Sequence, residues 1–131
     1  MEVVLIDRFT VPEESKVTFL AEVRRSAAFL RTLPGFVEGF VYENSGGASH
    51  NVLTTAVWQD EDAFQHARKK AAEEFQRIGF NPPEIMKILK VEIERGGTVA
   101  HRIDMRMATN LGGMNRHANR VAVRVLNIRV V

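Results

Sequence analysis

The chain contains no cysteine, one tryptophan, one tyrosine and no long apolar run. The absence of cysteine excludes disulfide bonds, thiolate metal sites and thiol catalysis. No window approaches the roughly 18 consecutive apolar residues that a membrane-spanning helix requires. The first residues, MEVVLIDRF, carry an acid where a signal peptide needs cations. We therefore predict a cytoplasmic protein with no membrane partner.

The length of 131 residues allows one domain with a hydrophobic core. The net charge of +2 conceals an uneven distribution, because residues 1–100 hold 12 basic and 15 acidic side chains. Residues 101–131 hold six arginines and a single acid, Asp104. We predict a domain over 1–99 and a basic C-terminal extension over 100–131, made of a loop over 100–119 and a strand over 120–131.

The six arginines of the extension could contact phosphates, but the extension contains no aromatic side chain on which nucleic acid bases could stack. We therefore expect a strand with solvated arginines or an arm that stabilises the dimer, and no nucleic acid partner. The histidines of the extension, His101 and His117, stand sixteen residues apart without a carboxylate cluster, and we expect no metal site.

Hydrophobic periodicity divides residues 1–99 into six elements. Alternating or β-branched runs predict strands at 3–10, 36–43, 50–58 and 85–94. A helix opens at PEES and ends before LPGF, and a second helix begins after Asp60. Paired glycines at 96–97 are typical of a turn. The order βαββαβ predicts an α+β, ferredoxin-like fold with an antiparallel sheet.

The strand at 36–43 is apolar on both faces. Phe36, Phe40 and Tyr42 alternate with Val37 and Val41. Helices cover one face of such a sheet, so the other face needs a partner. We predict a homodimer that forms through the open sheet face.

Three segments, VVLIDRFTV, TLPGFVEGFVYE and NVLTTAVWQDEDAFQHA, carry a resemblance to a known family. Together they are similar to the antibiotic biosynthesis monooxygenase family, of the dimeric α+β barrel superfamily, over about residues 2–98. The resemblance implies the same fold and dimer. It does not imply one activity, because the family includes monooxygenases and haem-degrading enzymes.

One branch of the family oxidises polycyclic phenols to quinones without a metal or organic cofactor. It has a Trp at the end of the third strand, an Asn four residues earlier and a Tyr six residues later. This chain has Trp58 but carries Thr54 and Phe64 at the other two positions. The resemblance implies that Trp58 and Thr54 orient and polarise a substrate, while Phe64, Phe40 and Ala67 bind it. No cofactor is expected.

Asp7 is the third candidate for catalysis. A carboxylate inside LIDRF on a central strand is costly unless it is paired, and its pKa rises when it is not. Asp7 is therefore a candidate base, or an ion-pair partner of Arg8 from another chain or of Arg68.

The haem-degrading branch fits this chain poorly. The branch has an Asn on the first strand, with a Trp and a His in the second helical region. The matching positions here carry Asp7, Ala67 and Arg77. We therefore predict a small cofactor-independent monooxygenase for a hydroxylated aromatic molecule. A non-enzymatic dimeric barrel that binds a small apolar ligand, and a cyclase or isomerase, are the alternatives.

Overall fold

The computed structural model describes residues 1–44, 49–100 and 124–126. The strands in these residues are Glu2–Thr10 (β1), Phe36–Glu43 (β2), Val52–Trp58 (β3), Glu92–Ala100 (β4) and Arg124–Leu126 (β5). The helices are Lys16–Leu30 (α1), Glu61–Ile78 (α2) and Pro82–Ile88 (α3), and a 3₁₀ turn at Glu13–Ser15 precedes α1.

The strands form one antiparallel sheet in the order β2-β3-β1-β4-β5. α1 connects β1 to β2, while α2 and α3 connect β3 to β4. The first four strands therefore have the βαββαβ connection and the strand order of a ferredoxin-like fold. This arrangement confirms the predicted α+β, ferredoxin-like fold class.

The fourth strand begins later than the sequence predicted. The prediction of a strand over 85–94 was wrong for residues 85–91, because α3 extends to Ile88 and β4 starts at Glu92. The Asn81 side chain caps α3 by accepting a hydrogen bond of 3.2 Å from the Glu84 backbone N–H. Two prolines follow this cap at the start of the helix, where proline is tolerated. Local capping therefore overrides the alternating pattern.

The paired glycines of β4 are part of the sheet. Gly96 and Gly97 were predicted to form a turn, but they pair with Ile6 and Leu5 of β1. β4 pairs with β1 along the whole length of β1, and this pairing extends β4 through both glycines. Local composition does not predict such a contact between residues distant in sequence.

The turn between α1 and β2 is anchored against the start of α2. Gly35 has φ +83°, a conformation that favours glycine. Its carbonyl accepts a hydrogen bond of 2.8 Å from the Gln59 backbone N–H. A Cβ atom at this position would overlap the Cβ of Ala63. The LPGF turn therefore lies directly against the strand-to-helix junction that holds Trp58.

α2 has capping groups at both ends. The Asp60 side chain accepts a hydrogen bond of 2.8 Å from the Ala63 backbone N–H, as the sequence predicted. Gly79 ends the helix in the left-handed conformation, with φ +71°. These caps define where α2 begins and ends.

The hydrophobic core is divided into two clusters. One lies chiefly between the sheet and α1 and comprises Phe9, Val11, Phe19, Leu20, Val52 and Val91. The other lies between the sheet and α2 and comprises Val3, Trp58, Phe64 and Ala67. Because Val3 and Phe9 stand near opposite ends of β1, the two clusters leave the middle of the sheet between them.

The opposite face of the sheet is partly apolar and faces away from the helices. Strand alternation places Val4, Ile6, Leu53, Phe40 and Tyr42 on this open face. Phe40 and Tyr42 are each 51% exposed, and their ring centroids lie 6.1 Å apart.

The C-terminal extension contributes one described element. β5 pairs with Gly97, Thr98 and Val99 of β4 and adds a fifth strand to that edge of the sheet. This strand falls within the predicted strand over 120–131. The remainder of that prediction, and the predicted loop over 100–119 beyond Ala100, lie outside the described residues.

Candidate active site

A cavity of about 770 Å³ lies between the sheet and the helices, in the space between the two core clusters. The middle of its floor carries small or short side chains, including Gly39, Thr54 and Ala56. Several alanines line its roof: Ala27, Ala28, Ala67, Ala71 and Ala72. These short side chains on the sheet and on the helices do not reach one another, and the space between them stays open as the cavity.

Asp7 stands at the centre of the floor. It pairs with Thr54 of β3 on one side and with Arg95 of β4 on the other. Residues directly opposite each other on antiparallel strands point to the same face, with Cβ atoms about 4.5–5.5 Å apart. The three side chains therefore form one row, which Val41 of β2 continues beyond Thr54.

Asp7 and Arg95 form a long ion pair. The Nε atom of Arg95 lies 3.9 Å from Oδ1 of Asp7, which is too far for a hydrogen bond. Burial raises the pKa of the Asp7 carboxyl above its ordinary value, and the Arg95 guanidinium offsets part of this rise. A carboxyl with this environment is a stronger proton acceptor than one in water.

Trp58 forms a wall at one end of the cavity. Its side chain is 2% exposed, and its ring meets that of Phe36 edge to face with centroids 5.3 Å apart. The Trp58 indole N–H and the Thr54 hydroxyl are hydrogen-bond donors. Both residues border the cavity, where a ligand could accept from them.

A sequence model described as antibiotic biosynthesis monooxygenase matches residues 2–78, which is more than half of the chain. The chain belongs to the antibiotic biosynthesis monooxygenase family. The matched region runs from β1 through α2 and contains Asp7, Thr54 and Trp58. No curated protein matches the chain.

Solved structures support the same assignment. SnoaB, a cofactor-independent oxygenase from Streptomyces nogalater, is 26% identical, with a TM-score of 0.56 over 78% of this chain and 95% of its own. A proposed monooxygenase from Shewanella loihica PV-4 is 20% identical, with a TM-score of 0.59 over 78% of this chain and 96% of its own. At that identity the second likeness shows the fold alone.

A structure with bound manganese protoporphyrin IX has a similar fold. A variant of MhuD with two manganese protoporphyrin IX molecules bound per active site is 18% identical, with a TM-score of 0.56 over 78% of this chain and 98% of its own. The likeness again shows the fold alone. His66 of this chain is exposed on α2, and Ala67 and Arg77 stand where the haem-degrading branch was expected to have its Trp and His.

Five of the six predicted site residues lie in two places, the floor of the cavity and a buried cluster beside it. Asp7 and Thr54 lie side by side on the cavity floor. Trp58, Phe64 and Ala67 pack together as one buried cluster that borders the cavity. These five side chains come from three elements that the sequence separates by up to 60 positions.

Phe40 stands apart from the other five. It borders the cavity at the edge strand, but it pairs with Thr55, whose side chain points away from the helices. Its ring contacts Tyr42 on the open face and is 51% exposed. Any contact with a ligand would be at the margin of the cavity.

Arg95 is the site residue that sequence reasoning missed. The expected ion pair of Asp7 with Arg68 was wrong, because the ion-pair partner of Asp7 within the chain is Arg95. The alternative pairing with Arg8 of another chain stays a prediction. The signal was present, since the alternation Ile93, Arg95 continues the strand beyond Glu94. Reading RGG as a turn concealed it.

In the part of the chain that the structure describes, no helix is both long and apolar enough to cross a bilayer. The histidines and carboxylates of these residues form no group of three or more that could hold a metal ion.

Proposed function

We propose that the protein is a cofactor-independent monooxygenase that oxidises a hydroxylated aromatic small molecule. The observation that carries the proposal is the row of Asp7 and Thr54 on the floor of a cavity walled by Trp58. Membership of the family and the 26% identity to SnoaB, a cofactor-independent oxygenase, support the same reaction class.

The reaction begins with proton transfer. Asp7 accepts a proton from the substrate, and its partly buried position makes the carboxylate a stronger proton acceptor than one in water. The Thr54 hydroxyl and the Trp58 indole N–H donate hydrogen bonds to the oxygen on which negative charge develops. The result is an electron-rich enolate or phenolate in a cavity largely lined by apolar groups.

Oxygen then reacts with this anion. One electron passes from the substrate to O₂, and the two radicals combine at carbon to form a peroxide. At a CH₂ carbon, loss of water from the hydroperoxide leaves a carbonyl group, so R₂CH₂ and O₂ yield R₂C=O and H₂O. The substrate supplies all the electrons, and no external reductant is consumed. Exclusion of bulk water protects the anion until oxygen arrives.

A matched pair of threonine variants tests the site. Thr54→Val removes the hydroxyl from the cavity floor, and we expect the rate of oxygen consumption with anthrone-like and naphthol-like substrates to fall roughly 10²-fold. Thr55→Val makes the same change on the opposite face of β3 and should leave the rate unchanged. Equal rates in both variants would remove Thr54 from the mechanism, and no consumption by the wild type would overturn the oxygenase proposal.

A cyclase or isomerase is the second candidate. Asp7 supports it, because a partly buried proton acceptor beside a cation can transfer protons without oxygen. The non-enzymatic binder is the third, since the cavity needs no chemistry to hold an apolar ligand. If the wild-type protein consumes no oxygen and the same phenols raise its unfolding temperature, the non-enzymatic binding protein is favoured.

We also propose that two copies pair through the open face of the sheet. The exposed rings of Phe40 and Tyr42, with Ile6 beside them, form a partly apolar surface on that face. Burial of such a surface against a second copy is favourable by about 25 cal/mol per Å² of apolar area.

A further inference from the structure

We propose that Arg95 is a catalytic residue that acts as a transferable counterion. It neutralises the Asp7 carboxylate before proton transfer and the deprotonated oxygen of the substrate afterwards. The inference rests on the proposed function for the identity of the proton donor, a hydroxyl or an enolisable group of the bound aromatic molecule.

The geometry leaves Arg95 able to change partners. Its Nε atom is the group nearest to Asp7, at 3.9 Å, so no hydrogen bond holds the pair. The two terminal nitrogens of the guanidinium are consequently available for a second anion. The side chain is 46% exposed, which leaves it room to move within the cavity.

The change of partner by Arg95 keeps an anion paired with a cation throughout the proton transfer. Before the reaction the cavity contains ionised Asp7, cationic Arg95 and a neutral substrate. After the proton moves from substrate to Asp7, the carboxyl is neutral and the substrate is the anion. An unpaired anion in a site of low polarity is costly, and Arg95 prevents that cost in both states. The net charge of the cavity never changes.

Other charged side chains border the same cavity from the helices. They are Glu22, Arg24 and Arg31 on α1 and Arg68 on α2. Arg68 lies over the Phe64 ring, 5.8 Å from its centroid, and Glu22 lies 3.9 Å from Arg25. Arg95 differs from all of them, because it belongs to the same row across the sheet as Asp7 and Thr54.

A chromophoric phenol tests the exchange without requiring turnover. 4-Nitro-1-naphthol absorbs differently as phenol and as phenolate, so its ionisation can be titrated while it is bound to the full-length protein. We expect Arg95→Gln to raise the pKa of the bound reporter by at least about one unit, a tenfold change, because a cation within a few ångströms shifts a pKa by roughly 1–3 units. Arg95→Lys keeps the charge and should recover most of the effect.

Lys70→Gln is the matched control. Lys70 lies on α2 outside the cavity lining, and its side chain is 48% exposed, against 46% for Arg95. The variant removes one positive charge, and the reporter pKa should stay at the wild-type value. Thermal unfolding of each variant checks that the fold is intact. With a turned-over substrate, Arg95→Gln should also lower the rate roughly 10²–10³-fold, as does loss of other oxyanion-stabilising groups.

The outcomes separate the two proposals. An unchanged reporter pKa in Arg95→Gln overturns the counterion role, whatever the oxygen measurements show. A reporter pKa that depends on Arg95, in a protein that consumes no oxygen, supports the counterion role and overturns the oxygenase. A reporter that fails to bind the wild type overturns both.

Discussion

Asp7 illustrates how one residue on a central strand takes its properties from its neighbours. The same carboxyl at the surface would be an ordinary acid. Between Thr54 and Arg95, on the floor of the cavity, it is largely shielded from water, and its pKa rises. The consequence extends to stability, because a raised pKa in the folded state means that folding favours the protonated form.

The pH dependence of stability tests this directly. The folded state holds the Asp7 proton more tightly than the unfolded state, whose pKa is about 3.9. The free energy of unfolding contributed by Asp7 therefore decreases as the pH rises from about 4 through the folded-state pKa. Asp7→Asn should remove this decrease. Chemical unfolding of both proteins across pH 4 to 8 measures the difference, and parallel curves would contradict the prediction.

Trp58 combines a structural and a proposed chemical role that substitution can separate. Trp58→Ala should cost about 3–5 kcal/mol of stability, because the side chain is only 2% exposed. Trp58→Phe keeps most of the apolar volume but removes the indole N–H. We expect it to unfold at a denaturant concentration closer to wild type while its turnover falls roughly 10²-fold. Full turnover in a stable Trp58→Phe protein would assign Trp58 to the core alone.

At the scale of the elements, the site depends on a junction where a turn, a strand end and a helix start meet. The LPGF turn, the end of β3 and the cap of α2 are held together by the hydrogen bond from Gln59 to Gly35 and by the close approach of Gly35 to Ala63. Trp58 ends β3 at this junction, so its position relative to α2 depends on the turn.

Two glycines with similar backbone angles test the importance of this contact. Gly35 and Gly79 have φ of +83° and +71°, but only at Gly35 would a Cβ meet neighbouring atoms. Both Gly→Ala variants bear the cost of a left-handed conformation, about 1–2 kcal/mol. Gly35→Ala should lose about 1–3 kcal/mol more, because of overpacking against Ala63. Equal unfolding midpoints for the two variants would show that the turn shifts freely.

The whole molecule presents two different faces. The helix side of the sheet holds the core clusters and the cavity, whereas the open side exposes Phe40 and Tyr42. The residues of the helix side belong largely to the region that matches the family, residues 2–78. The open side is the surface through which we propose that two copies pair.

A charge placed on the open face should disrupt that dimer. Phe40→Glu introduces a carboxylate that a self-complementary interface would repeat on both copies, and we expect the mass in light scattering to fall from dimer to monomer. Val17→Glu is the control, since Val17 is 83% exposed on α1 and belongs to neither face of the sheet. A monomeric wild type, or a dimeric Phe40→Glu, would exclude the sheet-face interface.

The sequence by itself determined the fold class, three of the four predicted strands and the start of α2. These features rest on local signals, namely apolar periodicity, the Asp60 cap and the breaks at Pro34 and Gly79. The resemblance to the family made Thr54 and Trp58 candidates, and a carboxylate on a central strand made Asp7 one. Periodicity places Thr54 and Trp58 on one face of β3, because side chains alternate along a strand.

Only the tertiary structure decided which side chains meet. The start of β4 depends on the α3 cap, and its passage through Gly96 and Gly97 depends on pairing with β1, so Arg95 could not be placed beside Asp7 in advance. The cavity has the same origin, because it depends on small residues from several strands and helices facing one another. Contacts between residues distant in sequence are formed by packing, and local patterns carry little of that information.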